Sequence, residues 1–254
     1  MSRYSRARKV HNQTVEGRRA VLESLRAGRD IKKVIMVEGI ELGPQLNEIV
    51  VLASEAGVDV QAVSRKELDA QSQTKKNQGV IAVVSDPRYH DTEQLIVEAQ
   101  ADGKVPLVVM LDGIEDPHNL GAIARTANAV GANGIIIPDR RAVGITAGAV
   151  RASAGALEHI KVSRVTNLNR TIERLKELGV TVIGLDADGD VLYSAVDFVK
   201  PVVIVVGSEG RGLSRLVREK CDQIVSIPMI GELSSLNASV SAGIVLYEVF
   251  RQRQ

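Results

Sequence analysis

Apolar positions change their rhythm along this chain. From residue 106 onward, short unbroken apolar runs alternate with stretches of helical periodicity. The clearest run is 106–111, Pro-Leu-Val-Val-Met-Leu, the pattern of a strand buried on both faces of a parallel sheet. A helix is predicted over 119–130, closed by Gly131, and a strand over 134–137. Asn167 stands where it would cap a helix ending at Gly179. Strands follow over 180–185, 201–206 and 223–227, with a last helix from about 236 to 250. Strands alternating with helices predict an α/β domain with a parallel sheet covered on both faces.

The first third has a smaller rhythm. Residues 1–12 show no hydrophobic periodicity and read as a flexible arm. A helix is predicted from near Thr14, burying Val21, Leu22 and Leu25 and stopping at Gly28. Strands are expected over 33–37, 58–63 and 79–84, and a helix over 45–56. Ser64 with Glu67 spells a capping box for a further short helix. Residues 13–85 thus form a small α/β unit. The polar stretch 86–104 reads as a linker, with room for a helix from Asp91, and 105–254 as the larger domain.

Charge adds an asymmetry. The 254 residues carry a net charge of only +1, yet residues 1–33 hold ten Lys/Arg against three acids. A basic arm bearing Arg6 and Arg8, continued by Arg18, is expected to touch a polyanion such as RNA; a solvated tail is the equal alternative. Aromatic residues are 2% of the chain, which disfavours a binding surface of stacked rings. Cys221 is the only cysteine, so no internal disulfide forms, and a small core role is expected for it. The four histidines lack metal-ligand spacing, and no bound metal is expected. No apolar run reaches the roughly 18 residues of a membrane span, and a reducing, cytoplasmic setting is expected.

Three segments break the regular pattern, each after a predicted strand. The first runs from Asp112 through Asn119 and Gly121 to Arg125. The second is Gly207-Ser-Glu209-Gly210-Arg-Gly212. The third is Ile227-Pro228-Met229, followed by Ser235-Leu236-Asn237-Ala238-Ser239. The carboxyl ends of parallel strands share one edge, where ligands bind, so the three can converge on one pocket. Asn119 is expected as a helix N-cap, with Gly121 leaving room for another backbone. Arg125 near a helix start opposes the helix dipole; it reads equally as a site residue or an ordinary surface arginine. The second segment is no Walker or dinucleotide sequence, and Glu209 would repel phosphate. Taken alone, the serines and asparagine of the third read as helix capping.

Taken together, Asn119-x-Gly121-x-x-x-Arg125, the Gly207–Gly212 segment and the third segment resemble the motifs of the SpoU (TrmH) branch of the SPOUT RNA methyltransferases. Ala238 stands where that family usually has valine. The stretches Gly17-Arg-Arg-Ala-Val-Leu and Asn77-Gln78-Gly79-Val-Ile-Ala resemble the accessory domain of bacterial enzymes that methylate a guanosine of large-subunit ribosomal RNA. The resemblance implies a parallel-sheet catalytic domain tied in a trefoil knot, a smaller N-terminal domain of the ribosomal-protein L30e fold, and a homodimer. It implies S-adenosylmethionine as cofactor, held by Gly207, Ile227, Met229 and Leu236. It implies catalytic roles for Arg125, Glu209 and Asn237, with Asn119 and Ser235 positioning RNA.

The chemistry so implied is methyl transfer to a ribose 2′-hydroxyl, a direct displacement that needs alignment and no metal. Arginine in proteins stays protonated. Arg125 is therefore expected to clamp phosphate and stabilise the developing alkoxide rather than act as base. The rivals are the same chemistry on transfer RNA or another ribosomal site, and a non-catalytic RNA-binding assembly factor.

Overall fold

A computed structural model describes residues 13–74, 76–232 and 235–254. Arg6 and Arg8, and the arm they belong to, lie outside the described residues. The chain divides into two compact units, 1–87 and 88–254.

The first unit runs β1 (Gln13–Glu16), α1 (Arg18–Arg26), β2 (Ile31–Val37), α2 (Pro44–Glu55), β3 (Asp59–Val63), α3 (Arg65–Gln71) and β4 (Val80–Val84). Its sheet has the order β1-β4-β2-β3. β4 lies antiparallel to both β1 and β2, and β3 runs parallel to β2. Ile35, Leu68, Ile81 and Val83 form one buried cluster of its core. The expected capping box forms: the Ser64 side chain accepts from the Glu67 amide, and the Glu67 carboxylate accepts from the Ser64 amide.

One expectation is corrected here. Thr14 begins no helix; it belongs to β1, and α1 starts only after Gly17, whose φ of 94° turns the chain. Thr14, Val15 and Glu16 are consecutive buried residues paired with β4. Glu16 is fully buried, yet five donors serve its carboxylate. They are the Thr14 hydroxyl (3.1 Å), the Ser72 hydroxyl (2.8 Å), the Gln73 amide (2.5 Å), the Thr74 amide (3.1 Å) and the Thr74 hydroxyl. Burial alone would push this carboxyl up. The Thr74, Gln73 and Ser72 donors outweigh burial and hold it below its ordinary value. The side chain staples the segment after α3 to the first strand.

The second unit runs α4 (Thr92–Ala101), β5 (Leu107–Asp112), α5 (Pro117–Ala129), β6 (Gly134–Pro138), α6 (Ala147–Ala152), β7 (Val162–Val165), α7 (Leu168–Glu177), β8 (Thr181–Leu185), β9 (Val191–Leu192), β10 (Val202–Gly207), α8 (Arg215–Lys220), β11 (Gln223–Ser226) and α9 (Ala238–Gln252). The sheet order is β7-β6-β5-β10-β8-β11-β9, with every pairing parallel. The continuous apolar runs of β5 and β10 sit side by side at its centre, Leu107 opposite Val202 through Asp112 opposite Gly207.

The stretch expected as a linker contributes α4 to this unit. Asp91 caps the helix by accepting from the Glu93 amide at 2.9 Å. Leu95 and Ile96 are buried among Met110, Ile172 and Val205 in the main core. Its polar majority hid a stripe of three apolar positions. Asn167 caps α7 as expected, accepting from the Arg170 amide at 3.1 Å. Cys221 is half-buried, and burial pushes its thiol up to about 12, so it is inert in the core. At the opposite, amino edge of the sheet, Arg253 donates to the carbonyls of Val105 (2.7 Å), Pro106 (3.1 Å), Phe198 (2.8 Å) and Lys200 (2.8 Å), fastening the chain after α9. No helix among the described residues is long and apolar enough to cross a membrane.

Candidate active site

All seven strands point their carboxyl ends to one edge, and the three irregular segments lie there, after β5, β10 and β11. The first enters α5. Asp116, not Asn119, caps that helix, accepting from the His118 amide at 2.9 Å, with Pro117 at its first position. Because the cap is taken one turn earlier, the Asn119 side chain is released from the backbone and reaches across the edge. Gly121 fills its expected role: a Cβ there would lie 2.5 Å from the Ala152 Cβ, so only glycine lets α6 pack this close.

The second segment folds back on itself. The Ser208 amide donates to the Gly212 carbonyl at 3.1 Å, and the Gly212 amide returns the bond to Ser208 at 2.9 Å. A Cβ on Gly207 would meet the Gly212 carbonyl carbon at 2.3 Å, so this loop demands glycine at 207. Asp112 anchors its far end by accepting from the Ser214 amide at 2.7 Å.

The third segment ends at Asn237, the N-cap of α9. Its Oδ1 accepts from the Ser239 amide (2.9 Å), the Ser239 hydroxyl (2.6 Å) and the Val240 amide (3.3 Å). The amide orientation is thereby fixed, with the NH₂ group turned away from the helix. That NH₂ donates to Asn119 Oδ1 at 3.1 Å and to Glu209 Oε1. Asn119 Nδ2 donates to the same Glu209 Oε1 at 2.9 Å. Three residues, one from each segment, close a hydrogen-bonded ring. Glu209 is exposed, and its Oε2 has no partner among the described residues.

Two clefts flank the second segment and share Ser208, Arg211 and Gly212. One, of about 650 Å³, is lined by Gly207, Ile227, Met229, Ser235 and Leu236, together with Asp186 and Asp188 after β8. The other, of about 550 Å³, is lined by Asn119 and Glu209 and by Asp112, Glu115, Arg140 and Arg141. Of the residues singled out by sequence, Gly207, Ile227, Met229, Leu236 and Ser235 gather in the first cleft. Asn119, Glu209 and Asn237 meet in the ring.

Arg125 stands apart. It lies on the exposed face of α5, lines neither cleft, and makes no ion pair among the described residues. Arg18 opens α1 in the other unit, where its backbone amide (3.0 Å) and Nε (3.3 Å) are held by Gln78. Sequence reasoning missed Asp186, Arg140, Arg141 and Arg211. The rule that ligands gather at the carboxyl ends of strands would have reached the first three, which follow β8 and β6. Among the described residues, no group of three or more His, Cys, Asp or Glu side chains could hold a metal ion.

A parallel sheet with two contiguous clefts and a polar ring at its carboxyl edge defines an α/β ligand-binding domain, here preceded by a separate small α/β unit. Residues 106–247 match the model of the SpoU rRNA methylase family, and residues 14–90 match that of the RNA 2′-O ribose methyltransferase substrate-binding domain. The chain belongs to the SpoU rRNA methylase family. It is 47% identical over 239 residues to YacO of Bacillus subtilis (strain 168), a protein assigned to the TrmH family of tRNA/rRNA methyltransferases, covering 94% of this chain and 95% of that one. The solved structure of the SpoU methyltransferase AviRb from Streptomyces viridochromogenes, in complex with the cofactor AdoMet, is similar with a TM-score of 0.79 at 28% identity. That match covers 94% of this chain and 90% of that one. An AdoMet-bound rRNA methyltransferase from Sinorhizobium meliloti is similar with a TM-score of 0.77 at 29% identity, covering 95% and 88%.

Proposed function

We propose that this protein transfers a methyl group from S-adenosylmethionine to a ribose 2′-hydroxyl of RNA, most plainly a guanosine of large-subunit ribosomal RNA. The observation that carries the reading is the ring of Asn119, Glu209 and Asn237, which joins all three family segments between two contiguous clefts. The 650 Å³ cleft falls within the range of ordinary cofactor sites. Its walls suit the cofactor: Ile227, Met229 and Leu236 offer apolar surface to an adenine, and Gly207 lets the loop to Gly212 fold tightly along its edge. The cofactor supplies an electrophilic methyl on a sulfonium. The protein's part is to orient the 2′-oxygen, exclude water and dispose of one proton. Glu209 stands at the join with an uncommitted oxygen, suited to accept that proton directly or through water. Asn119 and Asn237 hold its other oxygen in place.

Arg125 belongs to this reading through a homodimer. It projects from α5, which packs on α9, and α9 exposes Val240, Tyr247 and Phe250. An apolar face beside an uncommitted guanidinium supports dimerisation over α5 and α9, with Arg125 serving the partner's cleft, where it clamps phosphate and stabilises the alkoxide. A trefoil knot in the second unit is part of the same reading. The target nucleotide rests on the substrate-binding match over 14–90 and on the Gly17-Arg18-Arg19 and Asn77-Gln78-Gly79 stretches.

Three experiments test this. Mass-spectrometric mapping of ribose methylation in ribosomal RNA from cells with and without the protein should show one 2′-O-methyl site lost; an unchanged map sinks the substrate. Arg125→Ala should lower methyl transfer ~1000-fold with cofactor still bound. Mixed dimers of Arg125→Ala and Glu209→Ala chains should recover turnover, since one of their two clefts is then intact. Mixed dimers as inactive as either parent would place Arg125 in its own chain's cleft.

A further inference from the structure

The second cleft, between the loops after β5, β6 and β10, lies beside the one read above as the cofactor cleft and shares Ser208, Arg211 and Gly212 with it. Its chemistry is mixed: Arg140, Arg141 and Arg211 stand with Asp112, Glu115 and Asp116. We propose that it is the subsite for the RNA nucleotides beside the methylated ribose, with Arg140, Arg141 and Arg211 gripping backbone phosphates. The proposal rests on the reading of RNA as substrate given above.

These three arginines are not spent on ion pairs within the unit. Elsewhere in the unit, Arg164 is paired with Asp139, Arg174 with Glu93, Arg215 with Glu219, Arg218 with Asp186 and Arg251 with Glu248. Arg140, Arg141 and Arg211 are exposed and have no carboxylate partner among the described residues. For Arg140 and Arg141 the closest acid in sequence, Asp139, is already taken. Arg164 Nε meets its Oδ1 at 2.9 Å, and the same guanidinium lies over the Tyr89 ring at 5.5 Å.

The loop that carries Arg140 and Arg141 is pinned on both sides. The Asp139 amide donates to the Val165 carbonyl at 2.8 Å on one side, and the Val143 amide to the Ile114 carbonyl at 3.0 Å on the other. Between these pins Arg141 adopts a φ of 55°, a conformation that L side chains rarely take. The fold spends hydrogen bonds on both flanks to present two adjacent guanidinia that it does not use internally.

The acids of the cleft select the ligand. Asp112 and Asp116 are engaged by backbone amides, as is Glu209 by two side-chain amides, but their charge remains in the cleft and disfavours a free phosphate ion. A polynucleotide satisfies both halves: its phosphates meet the arginines, and its ribose hydroxyls and base amino groups donate to the carboxylates. Arg211, shared by both clefts, then sits where the bound strand passes toward the cofactor.

The test uses the full chain, S-adenosylmethionine and unmodified large-subunit ribosomal RNA transcribed in vitro. The double variant Arg140→Ala/Arg141→Asn is chosen because asparagine tolerates a positive φ. It should raise KM for RNA ~10- to 100-fold while kcat changes less than ~3-fold. The slope of log KM against log salt should fall by about 1.5 to 2, as expected for two lost phosphate contacts. Arg140→Lys should restore much of the binding that Arg140→Ala alone loses, and Lys104→Ala, a surface cation away from the cleft, should change nothing. Cofactor affinity by calorimetry reports whether each variant is folded. If the double variant is not, the Arg140→Ala single carries the test with a ~3- to 10-fold rise in KM. Unchanged KM and salt slope in a wild-type background that methylates RNA overturns this inference alone. Wild-type protein that binds cofactor but methylates no RNA overturns the functional reading and this inference with it.

Discussion

Each unit of this protein organises a loop around one glutamate, and the two glutamates are opposites. Glu16 is fully buried and saturated by five donors from its own unit. Glu209 is exposed, takes two amide donors on one oxygen and keeps the other uncommitted. The contrast separates structure from chemistry. A carboxylate with every lone pair used is a fastener. One held firmly on a single side has a face left for a ligand.

Substitutions should pull the two roles apart. The largest effect is expected from Glu16→Ala, which strands several donors and should cost ~3 to 4 kcal/mol in the denaturant unfolding of the first unit, with cofactor binding unchanged. Glu209→Ala should do the converse, lowering methyl transfer about 100-fold (roughly 2.7 kcal/mol) while thermal unfolding barely shifts. A large stability loss there would make Glu209 a second fastener. Asn237→Ala removes both a ring donor and a helix cap, so it should show both phenotypes at smaller size: ~10-fold in rate and ~1 kcal/mol in stability. The smallest effect is one of pH. The Glu16 carboxyl lies below its ordinary value when folded, so the unfolded chain binds the proton more readily. Its contribution is therefore complete above the usual carboxylate range and fades as pH falls through the lowered folded value. The stability gap between wild type and Glu16→Gln, measured from pH 7 down to about 3, should narrow; a constant gap would remove charge from the account.

The sheet was legible where burial is uniform. The apolar runs that became β5 and β10 needed no tertiary information, because a strand covered on both faces has only apolar positions to show. β7, β1 and the two-residue β9 were not legible, since Val162-Ser-Arg-Val165 and Gln13-Thr-Val-Glu16 mix polar with apolar residues and gain their pairing only from neighbours. Glu16 is the sharpest case, a charged residue buried by contacts 56 to 58 positions away. At the site, the meeting of three segments followed from strand direction alone. The ring did not, because Asn119 reads as a cap until Asp116 and Pro117 are seen to start the helix first.

The ring also sets a clock. Its members are contributed by residues 119, 209 and 237, the last standing at the threshold of α9. During synthesis on the ribosome, the segments bearing Asn119 and Glu209 emerge before their third partner, the last of them 28 residues ahead of it, so a chain cut short between them holds two parts of the site without its geometry. The ring can close only once α9 is in place, because Asn237 is the N-cap of that helix. Interrupted translation should leave fragments able to fold their first unit yet unable to modify anything.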